Sequence, residues 1–482
     1  MSRRVVGPFN RVEGDLEVQL EIDGDRVRDA WVVSPLYRGF EAILHGKDPR
    51  DALIYTPRIC GICSVSQSVA AAMALADAQG LVMPRNGELA INLVLANENV
   101  ADHLTHFYLF FMPDFARDIY AGEAWYPQVR ERFLAVTGSA VKQVLPARAD
   151  WLHLMGLLAG KWPHSLSIQP GGSARAVEVQ EQVRILTIIY AFRQFLETTL
   201  FGDSLDTILS LSSAEDLDQW LDRRAPESSD FSLFLHAARA LELDRLGRAA
   251  DTFMSYGVYP QAGQPLFRRG VWREGEQPLL ADRIAEDLSH SWMAGRERAL
   301  HPYEGVTRPD ADAADGYTWC KAPRLDGQVV EVGALARQVV DGDPLVRSLV
   351  QESGGNVRNR IVARLLEIAR VVDAMHGWAR ELRPGESFCA PAPLPREAQG
   401  CGMIEAARGS LGHWLKIRNG RIQNYQIIAP TTWNFSPRDS NGTAGALEQA
   451  LRGAPLREGE KDPVSVQHIV RSFDPCMVCT VH

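Results

Sequence analysis

A predominantly helical α+β fold is what this sequence predicts, with a bundle of long helices at the centre and one small β-containing region that brings the two ends together. Three observations lead there. Strand hairpins are legible near both ends, apolar residues recur every three or four positions between them, and two Cys-x-x-Cys pairs stand roughly 400 residues apart.

The first hairpin is carried by Leu16, Val18, Leu20 and Ile22, which alternate before the Asp23-Gly24-Asp25 turn, and by the returning run Val27 to Val33. In the second, His413 to Arg418 and Arg421 to Ile428 flank Asn419-Gly420, a pair that tolerates the positive φ angles of a type I′ turn. Both hairpins are expected in one β-containing region made of residues 1–60 and 405–482. The body between, 61–404, is expected to be mainly helical with surface insertions, and the whole of 1–482 to form a single domain.

The clearest helix is Asn356 to Leu382, where Val357, Ile361, Leu365, Ile368, Val372, Met375 and Ala379 share one face and Pro384-Gly385 ends it. Further helices are predicted after Cys63, from Glu88 to about Met112, and from Ala176 to about Phe201. Stretches 258–315 and 383–400, rich in Pro, Gly and charge, read as surface connections.

Composition narrows the function. At 46% hydrophobic and 23% charged, the 482 residues are ordinary globular material. A net charge of -9 argues against nucleic acid or anionic lipid as partner. The longest apolar run, near Leu186 to Leu200, is broken by Arg193 and Glu197, so no membrane span is expected. The opening MSRRVVGPFNRVEG has no apolar stretch after its arginines, and a cytoplasmic protein is the expectation.

Seven cysteines stand at 60, 63, 320, 389, 401, 476 and 479. Each Cys-x-x-Cys can place two sulfurs on one metal, so Cys60, Cys63, Cys476 and Cys479 make a four-thiolate set, with Arg58, Asp474 and His482 close by in sequence. A compact zinc module would separate its pairs by only about 15–20 residues. Soft thiolates suit zinc, copper(I), iron–sulfur or nickel–iron chemistry, and spacing does not choose among these. Cys320, Cys389 and Cys401 are isolated and read as ordinary core or surface thiols. Four of the seven cysteines are thus committed to one centre.

Several separated motifs resemble the large subunit of the nickel–iron hydrogenases: Arg11-Val12-Glu13-Gly14, Tyr37-Arg38-Gly39-Phe40-Glu41, Arg58-Ile59-Cys60-Gly61-Ile62-Cys63, Pro170-Gly171-Gly172, Glu405-Ala406-Ala407-Arg408-Gly409, Pro430-Thr431-Thr432-Trp433-Asn434, and Asp474 to His482. They run from residue 11 to the last residue in family order. The resemblance implies nickel held by all four cysteines, Cys60 and Cys476 terminal, Cys63 and Cys479 bridging to an iron that carries carbon monoxide and cyanide. It implies heterolytic cleavage of dihydrogen, with Cys476 as first proton acceptor and Glu13 as proton gate. Arg408 would lie over the open position, held by Asp102 and Asp474, and Arg408, Pro430 and Thr431 would surround the cyanides. Glu41, the backbone carbonyl near Ile428 and His482 would bind magnesium or a similar ion. A small subunit with iron–sulfur clusters is the implied partner.

The sequence also departs from the commoner family pattern. Ala407 precedes Arg408 where proline is usual, and Gln67, Asp15 and Trp162 stand at positions where histidine is common, although His164 is kept. These changes, and a chain that stops at His482, resemble the hydrogen-sensing regulatory branch, which implies a dimer of heterodimers signalling to a histidine kinase. The alternative is an uptake hydrogenase feeding a respiratory chain. A third class, structural relatives similar to the quinone-side subunits of respiratory complexes, lacks the four cysteines.

Overall fold

The computed structural model describes residues 2–261, 263–460 and 462–480. Its centre is the helix Arg85–Thr105, in which 18 of 21 residues are buried. A helix buried on all sides needs neighbours on all sides, and it packs on Val357–Glu381, Val141–Ala159 and Ser64–Gln79, with Val179–Phe195 closing the bundle against Val357–Glu381. The longest of these starts where predicted: the Asn356 side chain accepts the Asn359 N–H at 2.9 Å, capping a first-turn donor.

Two predicted helices are each realised as two pieces. The Glu88 to Met112 stretch is helix Arg85–Thr105 followed by a π-helical turn, His106–Phe111, and the Ala176 to Phe201 stretch is Val179–Phe195 followed by Leu196–Phe201, also π-helical. The wider turn shifts the apolar face, so a run of steady periodicity in sequence does not show it.

Both predicted hairpins form. Glu17–Asp23 and Arg26–Val33 pair antiparallel around Gly24, and Gly409–Arg418 and Arg421–Ile428 pair around Asn419 and Gly420, whose φ angles of 53° and 74° fit the type I′ turn. They do not share a β region. Each is the core of its own three-stranded sheet, completed by a different neighbour: Ser2–Val6 adds to the first and Ala398–Ala406 to the second.

The strand Ala398–Ala406 was hidden by its glycines. It lies against helix Ser64–Gln79 so closely that a Cβ at Gly402 would stand 1.9 Å from the Ala70 carbonyl oxygen, and one at Gly400 would stand 2.0 Å from that of Ala74. Close approach to a helix backbone, and no alternation of apolar side chains, defines this strand. The stretch 258–315 is likewise not a plain connection: Phe267–Trp272 and Ile284–Asp287 are strands, and bridges such as Met293 to Pro309 pair its loops. The helical body 61–404 thus carries small sheets of its own. Among the described residues, no helix is long and apolar enough to cross a membrane.

Replacing Gly402 with alanine forces the cysteine-bearing helix off its sheet, because backbone and not a flexible side chain blocks the methyl group. We expect a loss of about 3 kcal/mol, the upper end for overpacking, measured by thermal unfolding beside Gly156→Ala, a position in helix Val141–Ala159 where nothing lies within 4 Å.

Candidate metal centre

Two loops from opposite ends of the chain meet in the interior. Cys60 follows the tight turn Thr56–Arg58, and Cys63 is the N-cap residue of helix Ser64–Gln79. Cys476 forms a parallel bridge to Glu13, where the Met477 N–H donates to the Glu13 carbonyl at 2.7 Å, and Cys479 closes the turn Met477–Cys479. Arg38 staples the loops to each other, donating to the Ile59 carbonyl and, at 2.6 Å, to the Val478 carbonyl.

All four sulfurs are buried and lie within 4.8 Å of one another. Cys60 and Cys476 are 3.5 Å apart, Cys63 and Cys479 3.3 Å, and Cys476 and Cys479 3.0 Å. Burial pushes the Cys476 and Cys479 thiols up, the neighbouring sulfurs push Cys63 up, and hydrogen bonds with those same neighbours draw Cys60 down. So only one thiol of the four ionises readily by itself. A soft cation is what lets the rest follow, and an all-sulfur donor set matches that class of metal. This is the sole group of three or more potential metal ligands among the described residues; Cys320, Cys389 and Cys401 stand apart from it.

Arg408 sits beside the sulfurs, fully surrounded by protein. It grips Asp102 with both terminal nitrogens, at 2.6 and 3.0 Å, and donates to the Asp474 carbonyl at 3.1 Å and to its carboxylate at 3.3 Å. Burial works against the guanidinium charge, but Asp102, Asp474, Cys476 and Cys60 more than restore it. Burial also raises the Asp102 carboxyl, and the fork-to-fork geometry with Arg408 identifies the ionised carboxylate as the paired form. Asp474 is buried too, yet Arg408, His106 and Arg364 hold it below the ordinary carboxylate range.

The loop carrying Arg408 is fixed from behind by Arg337, a residue with no local sequence signal of its role. All five of its donors are used: two on Glu367 (3.0 and 2.7 Å), one nitrogen shared by Glu405 and the Ala406 carbonyl (both 2.8 Å), and one on the Ala407 carbonyl at 2.9 Å. Thr431, in the short helix Pro430–Asn434, accepts the Cys476 N–H at 3.2 Å, so the hydroxyl is anchored within the site with its proton free to donate. Pro430 opens that helix at the position where a missing N–H costs nothing.

Glu13 is half-buried at the edge of the site. Burial and Cys60 raise its carboxyl, against the pull of Arg408 and Arg38, and the net result is a carboxyl that holds its proton more tightly than usual. Gln67 lies one turn beyond Cys63 and accepts from His413 Nε2 at 2.8 Å; the opposite ring nitrogen is 2.8 Å from the Tyr425 hydroxyl, which then donates to it. Trp162 donates to Glu98, a buried carboxylate missed in the sequence although it lies one helical turn before Asp102.

Glu41 lies outside the sulfur group. One oxygen accepts the Ile427 N–H at 2.7 Å; the other takes the Thr307 hydroxyl and, at 3.0 Å, the Lys321 ammonium. That ammonium also contacts Gln426 at 2.9 Å and Glu286 at 3.4 Å. Ile428 is buried next to this cluster in sequence. The oxygens suit a hard cation, though one bound at Glu41 has to share the carboxylate with Lys321. His482 lies outside the described residues.

Four buried sulfurs, with an arginine and a half-buried carboxyl at their margin, form a candidate metal centre built from both ends of the chain. The family model for nickel-dependent hydrogenases matches residues 38–124 and 229–482, and the chain belongs to that family, as a large subunit. It is 28% identical to the periplasmic NiFeSe hydrogenase large subunit of Desulfomicrobium baculatum, over 99% of this chain and 94% of that one. With the uptake hydrogenase large subunit of Cupriavidus necator it shares 27% identity, over 100% and 95%. The Ni-Fe-Se hydrogenase from D. vulgaris Hildenborough in the reduced state superposes with a TM-score of 0.85 at 28% identity, covering all of both chains.

Asp102→Asn keeps the shape of its site but leaves the buried Arg408 with Asp474 as its only carboxylate partner. We expect a loss of about 3 kcal/mol in unfolding free energy, typical of a broken buried ion pair, measured by chemical denaturation of the purified subunit.

Proposed function

We propose that the four sulfurs hold a nickel–iron centre at which dihydrogen is split heterolytically, Cys60 and Cys476 binding nickel alone and Cys63 and Cys479 bridging to an iron that carries carbon monoxide and cyanide. The observation that carries this is the buried four-sulfur group with Arg408 beside it, in a chain of this family. When bound, such a centre supplies the Lewis-acid and redox chemistry of the reaction. The protein supplies the rest. Arg408, locked on Asp102 and Asp474, presents a fixed positive charge to the substrate, and the arginine loop and Thr431 offer donors to the cyanide nitrogens. Cys476 takes the proton. Glu13, joined to Cys476 through the backbone bridge and with a carboxyl tuned toward the protonated form, passes it outward.

Electrons leave through a small subunit with iron–sulfur clusters, since Cys320, Cys389 and Cys401 are dispersed. A magnesium or similar ion at Glu41, the Ile428 carbonyl and His482 completes the proposed metal set. For physiological role we propose a cytoplasmic hydrogen sensor, a dimer of heterodimers acting on a histidine kinase. The support is Gln67, tied to His413 where the family commonly has histidine. Uptake hydrogenase is the second reading, favoured by relatives of that name.

Glu13→Gln should slow hydrogen–deuterium exchange by about a hundredfold or more, the loss expected for a general acid–base group, while bound nickel stays at the level of the unaltered protein; loss of nickel would make Glu13 structural. For the role, deleting the gene and measuring hydrogenase transcripts with and without dihydrogen separates the two. Loss of induction is expected for a sensor, whereas unchanged transcription with lost hydrogen uptake identifies the uptake enzyme.

A further inference from the structure

Glu98 is a further buried carboxylate near the centre, besides Asp102 and Asp474, and nothing in the proton path above uses it. It lies one turn before Asp102 on helix Arg85–Thr105, so a single helix face delivers both groups. Its oxygens accept the N–H groups of Val65 at 2.8 Å and Ser66 at 2.9 Å and the indole N–H of Trp162 at 2.9 Å, with the hydroxyls of Ser66 and Ser64 at 3.0 and 3.4 Å. An N–H cannot reverse its role, so three fixed donors favour the ionised carboxylate, while burial pushes the group up to about 7.

Val65 and Ser66 belong to the first turn of helix Ser64–Gln79, whose N-cap is Cys63 and has no side-chain cap of its own. A helix N-terminus carries roughly half a positive charge. Placed one residue from a thiolate, that charge stabilises the anion and weakens its donation to a metal. A buried carboxylate at the same terminus opposes the field, with little solvent to screen it.

We propose that Glu98 is a positioning residue that holds the Cys63 loop in place and sets the electron-donor strength of the Cys63 sulfur. Trp162 moderates it: its indole N–H withdraws part of the carboxylate charge, and the Arg148 guanidinium lies 5.6 Å from the centre of its ring.

The inference rests on the nickel-site reading, and the test separates them. The assembled holoenzyme is prepared unaltered, as Glu98→Gln and as Trp162→Phe, and nickel content and the midpoint potential of the centre are measured at alkaline pH. Absence of nickel from the unaltered complex sinks the site reading itself. With nickel present, Glu98→Gln should shift the potential positive, because a negative charge is lost, and Trp162→Phe should shift it negative, because the charge is less neutralised. An unchanged potential in a fully loaded Glu98→Gln enzyme, or shifts of one sign in both variants, overturns the proposal. Should Glu98→Gln fail to take up nickel, Trp162→Phe decides alone: a negative shift supports the proposal and no shift overturns it.

Discussion

Mutual repulsion among four buried sulfurs is the constraint on which the rest of this structure depends. Each thiolate in a group only 4.8 Å across raises the cost of ionising the next, and burial removes the water that would otherwise screen them. Cationic groups are accordingly placed close by, Arg408 inside and Arg38 at the margin. A lone buried guanidinium is as costly as a lone thiolate, so Arg408 is itself held between Asp102 and Asp474. Arg337 repeats the pattern one layer farther out, with Glu367 and Glu405.

These layers also explain which elements surround the site. The central helix contributes Glu98 and Asp102 from one face, and the sheet that carries Arg408 lies on the helix that starts at Cys63. The glycines at 400 and 402 allow that close packing. At the far end, Arg471 grips Asp114 in the interior and reaches the Asn10 carbonyl at 2.8 Å, so the loop segment holding Glu13 and the helix leading to Cys476 share one anchor. Position, charge and proton traffic at the sulfurs thus depend on the same few ion pairs.

Much of this was legible in the sequence because it is written in local signals. Periodicity exposed the long helices, Asn419-Gly420 exposed its turn, and the paired cysteines with their flanking motifs exposed the centre. What escaped depends on partners distant in the chain. The strand Ala398–Ala406 has no alternation because a helix backbone, and not a layer of side chains, covers it. The two hairpins looked alike in sequence, yet each found its third strand elsewhere, a choice set by tertiary packing. Glu98 and Arg337 carry no local signal, because the backbone groups they satisfy belong to other segments.

The bridge between Glu13 and Cys476 has a consequence for the order of assembly. Strands and helices along most of the chain can form while it is still being synthesised, but this contact closes a loop of some 460 residues and waits until the segment holding Cys476 has been made. Until then Cys60 and Cys63 stand at an incomplete, open-sided pocket. The four-sulfur group therefore exists only once the two ends of that loop have met, and the arrival of the segment holding Cys476 is what closes it.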